Sequence, residues 1–213
     1  MKTITKVSIS ALIFAAASSA VCAFNLSGIA SAVNSAVPTS SETTTAAIKS
    51  IDDFSANYIK ACGNIVMSRS YIEDAAGDAD NAKKYKTDAD ALAKHGVLDA
   101  SKTARGALDG GAELIKKIDA TSDSSKSLLQ KGLESLATGT AQESALANEL
   151  GSLIENTKNA MKSADVLDKA KLAEKIQPLI DLAKSLPTDA ASATAALAKY
   201  LGAASEKGVT VSK

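Results

Sequence analysis

The side chains that most often carry out chemistry are scarce in this sequence. Its 213 residues contain two cysteines, Cys22 and Cys62, and one histidine, His95. A hydrolytic triad needs an imidazole beside its nucleophile, and a structural zinc site needs four nitrogen or sulfur ligands. Cys62 and His95 alone meet neither requirement. The sequence therefore predicts no catalytic residue, no metal site and no cofactor.

Acidic residues are plentiful, but their spacing suits neither an acid–base pair nor a calcium loop. Neighbouring carboxylates such as those of Asp52 and Asp53 point in different directions on a helix. The acidic segment that begins at Asp78 lacks the glycine at its sixth position and the glutamate at its twelfth position that an EF-hand loop requires. We therefore expect a non-enzymatic protein without a small-molecule substrate.

The first 23 residues have the layout of a secretory signal peptide. Lys2 and Lys6 give a short basic region, and the apolar run over residues 7–21 that follows is too short for a comfortable membrane span. Cleavage after Ala23 fits best, and cleavage after Ala20 is the alternative. We therefore expect a bacterial-type exported protein that is periplasmic or extracellular.

Cys22 leaves a further alternative open, because residues 19–22 look somewhat like the lipobox of bacterial lipoproteins, whose cysteine becomes a lipid anchor. Val21 fits this pattern poorly, since the position before the cysteine normally holds Gly, Ala or Ser. Ordinary cleavage after Ala23 would remove Cys22 and leave Cys62 as the one thiol. That thiol would then be either buried or paired with another molecule.

Charge and composition narrow the class of partner. Without residues 1–23 the chain carries 22 basic and 24 acidic side chains, which are interspersed. This balance gives no electrostatic reason to expect nucleic-acid binding. The composition is 46% hydrophobic but only 3% aromatic, with abundant Ala and three Pro, which favours helices over sheets.

The sequence after the signal peptide predicts an all-α fold. We expect a short helix or flexible arm over residues 24–38, a helical bundle over 39–207 and a frayed tail over 208–213. The sequence of residues 39–42 (TSSE) matches a capping box, so a long helix should begin there. A second helix should begin at Asp78 and end near Lys94, before His95 and Gly96.

The long first helix carries the clearest periodicity in the chain. Its apolar positions recur at steps of three and four residues, which keeps one seam turned toward a neighbouring helix, as in a coiled coil. We expect this seam to pack against another helix or a partner; it contains Ile48, Ile51, Tyr58, Cys62, Ile65 and Ile72. Tyr71 and Tyr85 are the aromatic pair that we expect to be exposed.

Glycines and prolines suggest where later helices stop. A break is expected near Gly110, and residues 140–143 (TAQE) form a second capping box that predicts a new helix after Gly139. Pro178 should bend or restart a helix, and Pro187 should begin the last one. Together, these helix signals predict an antiparallel bundle of about six or seven helices. The candidate hinges are Gly110, Gly111, Gly139 and Pro178.

These features favour a protein that works by protein–protein contact or self-association, in a structural, adaptor or matrix role. The alternative is a membrane-active or lipid-binding protein whose amphipathic helices refold onto a bilayer around the glycine breaks. The low aromatic content and the lack of a basic face argue against this alternative.

Overall fold

The computed structural model describes residues 40–209, and every regular element in that range is helical. The all-α class is therefore confirmed. The predictions for the signal peptide, its cleavage site, Cys22, the segment 24–38 and residues 210–213 fall outside the described residues.

Three long helices form the frame of the fold, and shorter helices lie between the first and second of them in sequence. The first long helix ends at a glycine turn, and the other two are joined through Ala164 and Asp165. The helices are α1 (Ser40–Ala75), α2 (Ala79–Ala91, followed by a 3-10 turn at Leu92–Lys94), α3 (Val97–Leu108), α4 (Gly111–Lys117), α5 (Asp123–Ser163) and α6 (Val166–Glu206).

Side-chain caps fix the starts of three of the six described helices, α2, α5 and α6. The side chains of Asp78, Ser122 and Asp165 each accept a hydrogen bond from the backbone amide three residues later, at 2.8–3.0 Å. Such bonds satisfy amides that the first helical turn leaves free. The predicted capping role of Asp78 is thereby confirmed.

A single glycine separates α3 from α4. Gly110 has φ +70°, a left-handed conformation that only glycine adopts without a steric penalty. Because α3 ends at Leu108 and α4 begins at Gly111, the break predicted near Gly110 is confirmed.

The last helix has a closed C-terminus. Gly208 has φ +73°, and the amide of Val209 donates to the carbonyl of Ala204 at 3.0 Å. This arrangement matches a Schellman motif, and the Val209 side chain is buried. The fraying predicted after Lys207 therefore does not apply to Gly208 and Val209.

The helix boundary predicted at Gly139 is wrong, because α5 runs without interruption from Asp123 to Ser163. Gly139, Thr140 and Glu143 are all buried against other helices rather than placed at a solvated helix start. The capping-box pattern of residues 140–143 was therefore overridden by tertiary packing.

The helix start predicted at Pro187 and the restart predicted at Gln177 are also wrong, since α6 is a single helix with Pro178 and Pro187 inside it. Each proline removes one backbone hydrogen bond. Both prolines are exposed, and the apolar side chains around them are buried, so packing holds the helix together; these include Ile176, Leu179, Leu182 and Leu186. The described residues form six helices, but α5 and α6 each merge segments that the sequence predicts as separate helices, so the predicted set of six or seven helices is not confirmed.

The contact between α1 and α5 is the most extensive in the fold, and it is antiparallel. Tyr58 lies opposite Glu143, whereas Ser68, further along α1, lies opposite Gly132, which comes earlier in α5. Gly132 and Gly139 are seven residues apart and both face α1. A Cβ atom at Gly139 would lie 2.8 Å from the carbonyl oxygen of Ala61, so the two backbones touch there.

We predict that Gly139→Ala destabilises the protein by about 1–3 kcal/mol, because the added methyl group would have to displace the backbone of α1. Gly151→Ala in the same helix is the matched control. Gly151 is exposed with open space around its Cα, so alanine there should stabilise the protein by up to about 1 kcal/mol. Urea unfolding followed by circular dichroism measures both. Equal effects at the two sites would contradict the close contact.

Candidate functional site

Six polar side chains from four helices meet inside the bundle. We call this group the polar core; it consists of Tyr58 and Cys62 from α1, Ser101 and Arg105 from α3, Glu143 from α5 and Asp189 from α6. Five of the six residues are buried. Arg105 is the exception, since about half of its side chain (49%) is exposed to solvent.

The two carboxylates of the polar core differ in the groups that compensate their charge. Asp189 accepts from the Ser101 hydroxyl at 3.0 Å and from the Arg105 guanidinium at 3.1 Å. Glu143 accepts a long hydrogen bond of 3.4 Å from the Tyr58 hydroxyl, and no ion pair to it occurs within residues 40–209. Asp189 is therefore compensated by a cation, and Glu143 is not.

This environment favours the neutral form of Glu143. Burial raises the pKa of the Glu143 carboxyl to about 7, and the charge of Asp189 acts in the same direction. The Tyr58 hydroxyl and the Arg105 guanidinium oppose the rise without cancelling it. Glu143 consequently changes its protonation state near neutral pH.

Cys62 and Tyr58 remain protonated in the same surroundings. Burial raises the pKa of the Cys62 thiol to about 12, with a further contribution from Glu143, and burial also raises the pKa of Tyr58. Cys62 forms no disulfide. A thiol with this pKa has almost no thiolate at neutral pH, so Cys62 packs as a small apolar side chain.

The predicted seam is buried in the helical bundle rather than exposed on its surface. Ile51, Tyr58, Cys62, Ile65 and Ile72 are at most 1% exposed. Ile48 is partly buried and lines a shallow groove with Pro178. The seam therefore packs against helices of the same protein.

The candidate hinges have three different surroundings. Gly110 is the left-handed break itself, whereas Gly111 lies under the buried ring of Tyr200, whose hydroxyl would overlap a Cβ atom at Gly111. Gly139 and Pro178 lie within continuous helices. Their role as hinges remains a prediction.

Tyr71 and Tyr85 are half-buried rather than exposed. The Arg69 guanidinium carbon lies 5.6 Å from the centre of the Tyr85 ring, within the range of a cation–π contact. Arg69 also donates to Glu73 at 2.7 Å and to the Asp109 carbonyl at 2.8 Å. These contacts tie Tyr85 to α1 and explain why it is not free on the surface.

Sequence reasoning missed Glu143 and Asp189, although a signal for both is present. Glu143 falls between Leu136 and Leu150 at the same three- and four-residue steps as the buried leucines of α5. Asp189 takes the equivalent place after Leu186 in α6. A carboxylate on an apolar stripe is the pattern that indicates a buried charge.

The most exposed apolar side chains lie at the turn between α5 and α6. Val166 is 85% exposed and Leu167 is 67% exposed, immediately after the capping residue Asp165. We call Val166 and Leu167 the hairpin tip. Leu98, at the start of α3, is 43% exposed.

No protein-family model matches the chain, and neither a curated protein nor a solved structure shows significant similarity to it. Across residues 40–209, none of the helices is both long enough and apolar enough to cross a membrane. The same part of the chain holds no group of three or more His, Cys, Asp or Glu side chains placed to bind a metal ion.

We predict that Glu143→Gln stabilises the protein above neutral pH and leaves it unchanged in acid. The pKa of Glu143 is raised in the folded state, so its contribution to stability is complete below about pH 4.5 and is lost as the pH rises through about 7. Gln keeps the shape of the side chain and does not ionise. The gain in unfolding free energy should reach about 3 kcal/mol at pH 8.

Urea unfolding between pH 4 and pH 8.5 measures this difference. Glu155→Gln, an exposed substitution in the same helix, is the control and should change stability by less than about 0.5 kcal/mol at any pH. A gain at Glu143 that is independent of pH, or a loss at pH 8, would contradict the assignment of an uncompensated carboxylate.

Proposed function

We propose that the protein is an exported, non-enzymatic helical bundle that acts through contact with a protein partner. The observation that carries this proposal is the hairpin tip, where two adjacent large apolar side chains, Val166 and Leu167, are mostly exposed. Scattered single apolar residues are normal on protein surfaces, but a projecting pair at a rigid turn suits insertion into a partner's pocket.

Contacts next to the hairpin tip hold Val166 and Leu167 in place, which makes such an insertion feasible. Val166 and Leu167 occupy the first turn of α6, where the Asp165 carboxylate accepts from the Asp168 amide at 2.8 Å. Leu172, one turn further along, is fully buried and fixes the helix to the core. A tip that is already ordered loses little conformational freedom on binding, which favours affinity. Two side chains offer a small contact area, so the contact should be transient.

The non-enzymatic part of the proposal is supported by the closed character of the polar core. Its carboxylates are buried at 3–4% exposure, and the nearest groove, between α5 and α6, is shallow and lined by small neutral side chains. An acid–base pair that works on a substrate must lie within hydrogen-bond reach of it. The geometry instead suits a structural role for Glu143 and Asp189.

A lipid surface is the second candidate partner, because lysines stand close to the hairpin tip. Lys162 lies in the last turn of α5 and Lys169 in the first turn of α6. Lysines beside projecting apolar side chains favour contact with anionic lipids. Asp165 and Asp168 reduce this positive charge, which makes a protein partner the better match.

To test this proposal, a photo-crosslinking amino acid replaces Leu167, and the modified protein is expressed in the cells that produce it. We expect one adduct of defined mass that includes a protein, and no such adduct when the crosslinker is at the exposed control position Ala195. Adding Val166→Ser to the crosslinking chain should abolish the adduct. The full-length chain with Val166→Ser and Leu167→Ser should keep its fold, because both wild-type side chains are already solvated.

Three outcomes would contradict the proposal. Identical adducts from positions 167 and 195 would show that the tip is not a binding surface. Co-flotation of the wild-type chain with phosphatidylglycerol vesicles, lost in the double-serine variant, would favour the lipid surface instead. Turnover of a substrate by the purified protein would overturn its non-enzymatic character.

A further inference from the structure

The charges of the polar core do not balance. Glu143 and Asp189 are two buried carboxylates, and Arg105 is the single guanidinium that reaches them. The other groups that face Glu143 are neutral: α1 contributes the Tyr58 hydroxyl and the Cys62 thiol. An isolated charge in a protein interior is strongly disfavoured, so the core is electrically balanced only when Glu143 carries a proton.

The imbalance lies at the interface between α5 and α6. Glu143 belongs to α5 and Asp189 to α6, and the two carboxylates repel each other when both are ionised. A groove of about 360 Å³ is lined by residues of α5 and α6 that include the sequence neighbours of this pair, Ser144 and Ala190. We call it the α5–α6 groove; its lining residues are Ser144, Ala147, Asn148, Pro187, Ala190, Ala191 and Thr194.

Three features favour opening on the groove side of this interface. Opening that side exposes mainly small side chains, including those of Ala147 and Ala190, whereas the buried Leu146, Leu150 and Leu186 of the same turns oppose a wider separation. Pro187 lacks the amide that would bond to the α6 carbonyl one turn earlier. The hydroxyl of Thr140, one turn before Glu143, is buried without a hydrogen-bond partner among the described residues. Water that entered here could satisfy that hydroxyl.

We propose that the α5–α6 interface at Glu143 and Asp189 is a pH-sensitive joint. Ionisation of Glu143 separates the two helices at this level and admits water through the α5–α6 groove, and protonation closes the interface again. The antiparallel contact of α5 with α1 stays closed, because the two backbones touch at Gly139 and the α1 side chains that face Glu143, Tyr58 and Cys62, are neutral and do not repel it. This pH-sensitive joint does not depend on the hairpin tip or on a partner bound there.

Hydrogen–deuterium exchange of the full-length chain, read by mass spectrometry at about pH 5.5 and pH 8.5, tests this joint. After correction for intrinsic exchange, peptides covering residues 140–150 and 183–194 should lose protection by at least about tenfold at the higher pH. Peptides from residues 61–72 of α1 should change by less than about threefold. Glu143→Gln should abolish the pH effect, and Glu155→Gln should retain it.

Three results would overturn the joint. Equal protection of residues 140–150 at both pH values would show that Glu143 does not control the interface. A loss of protection spread evenly over α1, α5 and α6 would indicate global destabilisation rather than local opening. The same pH effect in Glu143→Gln would assign it to another group. Asp189→Asn provides a second test, because removing the neighbouring charge lowers the pKa of Glu143 and removes the repulsion between the two carboxylates, so the loss of protection at pH 8.5 should become smaller.

Discussion

A buried carboxylate without a cation is the constraint on which the centre of this fold depends. Glu143 is 3% exposed and, within the part of the chain that the structure describes, receives only a long hydrogen bond, from Tyr58, while the neighbouring Asp189 pairs with the Arg105 guanidinium. Enclosing such a group requires side chains from α1, α3, α5 and α6 to meet at one level. The polar core thus fixes where the four helices cross, at the cost of a protonation equilibrium near neutral pH.

The α1–α5 interface combines large buried side chains with close contact of the two backbones. Gly132 and Gly139 let α5 approach α1 until a Cβ atom at Gly139 would meet the Ala61 carbonyl. Few aromatic residues are available, so buried Leu and Ile side chains and close approach over long helices supply the packing. The α1–α5 contact has this close backbone approach, whereas the α5–α6 interface holds the two buried carboxylates, and the second is where the proposed movement is expected.

Much of the fold could be predicted because its signals are local. The absence of strands from residues 40–209, the cap at Asp78 and the break at Gly110 follow from residue type and a few neighbours. The boundaries at Gly139 and Pro187 could not be predicted in this way, because each depends on a contact with another helix. A capping box is only a local preference, and burial of Thr140 and Glu143 outweighs it.

The candidate site was less predictable for the same reason. The stripe of α1 correctly marked Tyr58 and Cys62 as residues that face a helix, but their polar partners come from positions about 40 to 130 residues away in the chain. The sequence pattern shows a carboxylate on an apolar stripe and does not show which groups surround it. The function stays a proposal that rests on the exposed pair at the hairpin tip.

The most direct measurement is the titration of Glu143 itself, followed by the carbon-13 shift of its side-chain carboxyl in the folded protein and assigned by comparison with Glu143→Gln. We expect a midpoint near pH 7, well above the ordinary value of 4.5. A midpoint for Glu143 below about pH 5 would contradict the account, since it would mean that the carboxylate has a cationic or hydrated environment in the folded protein.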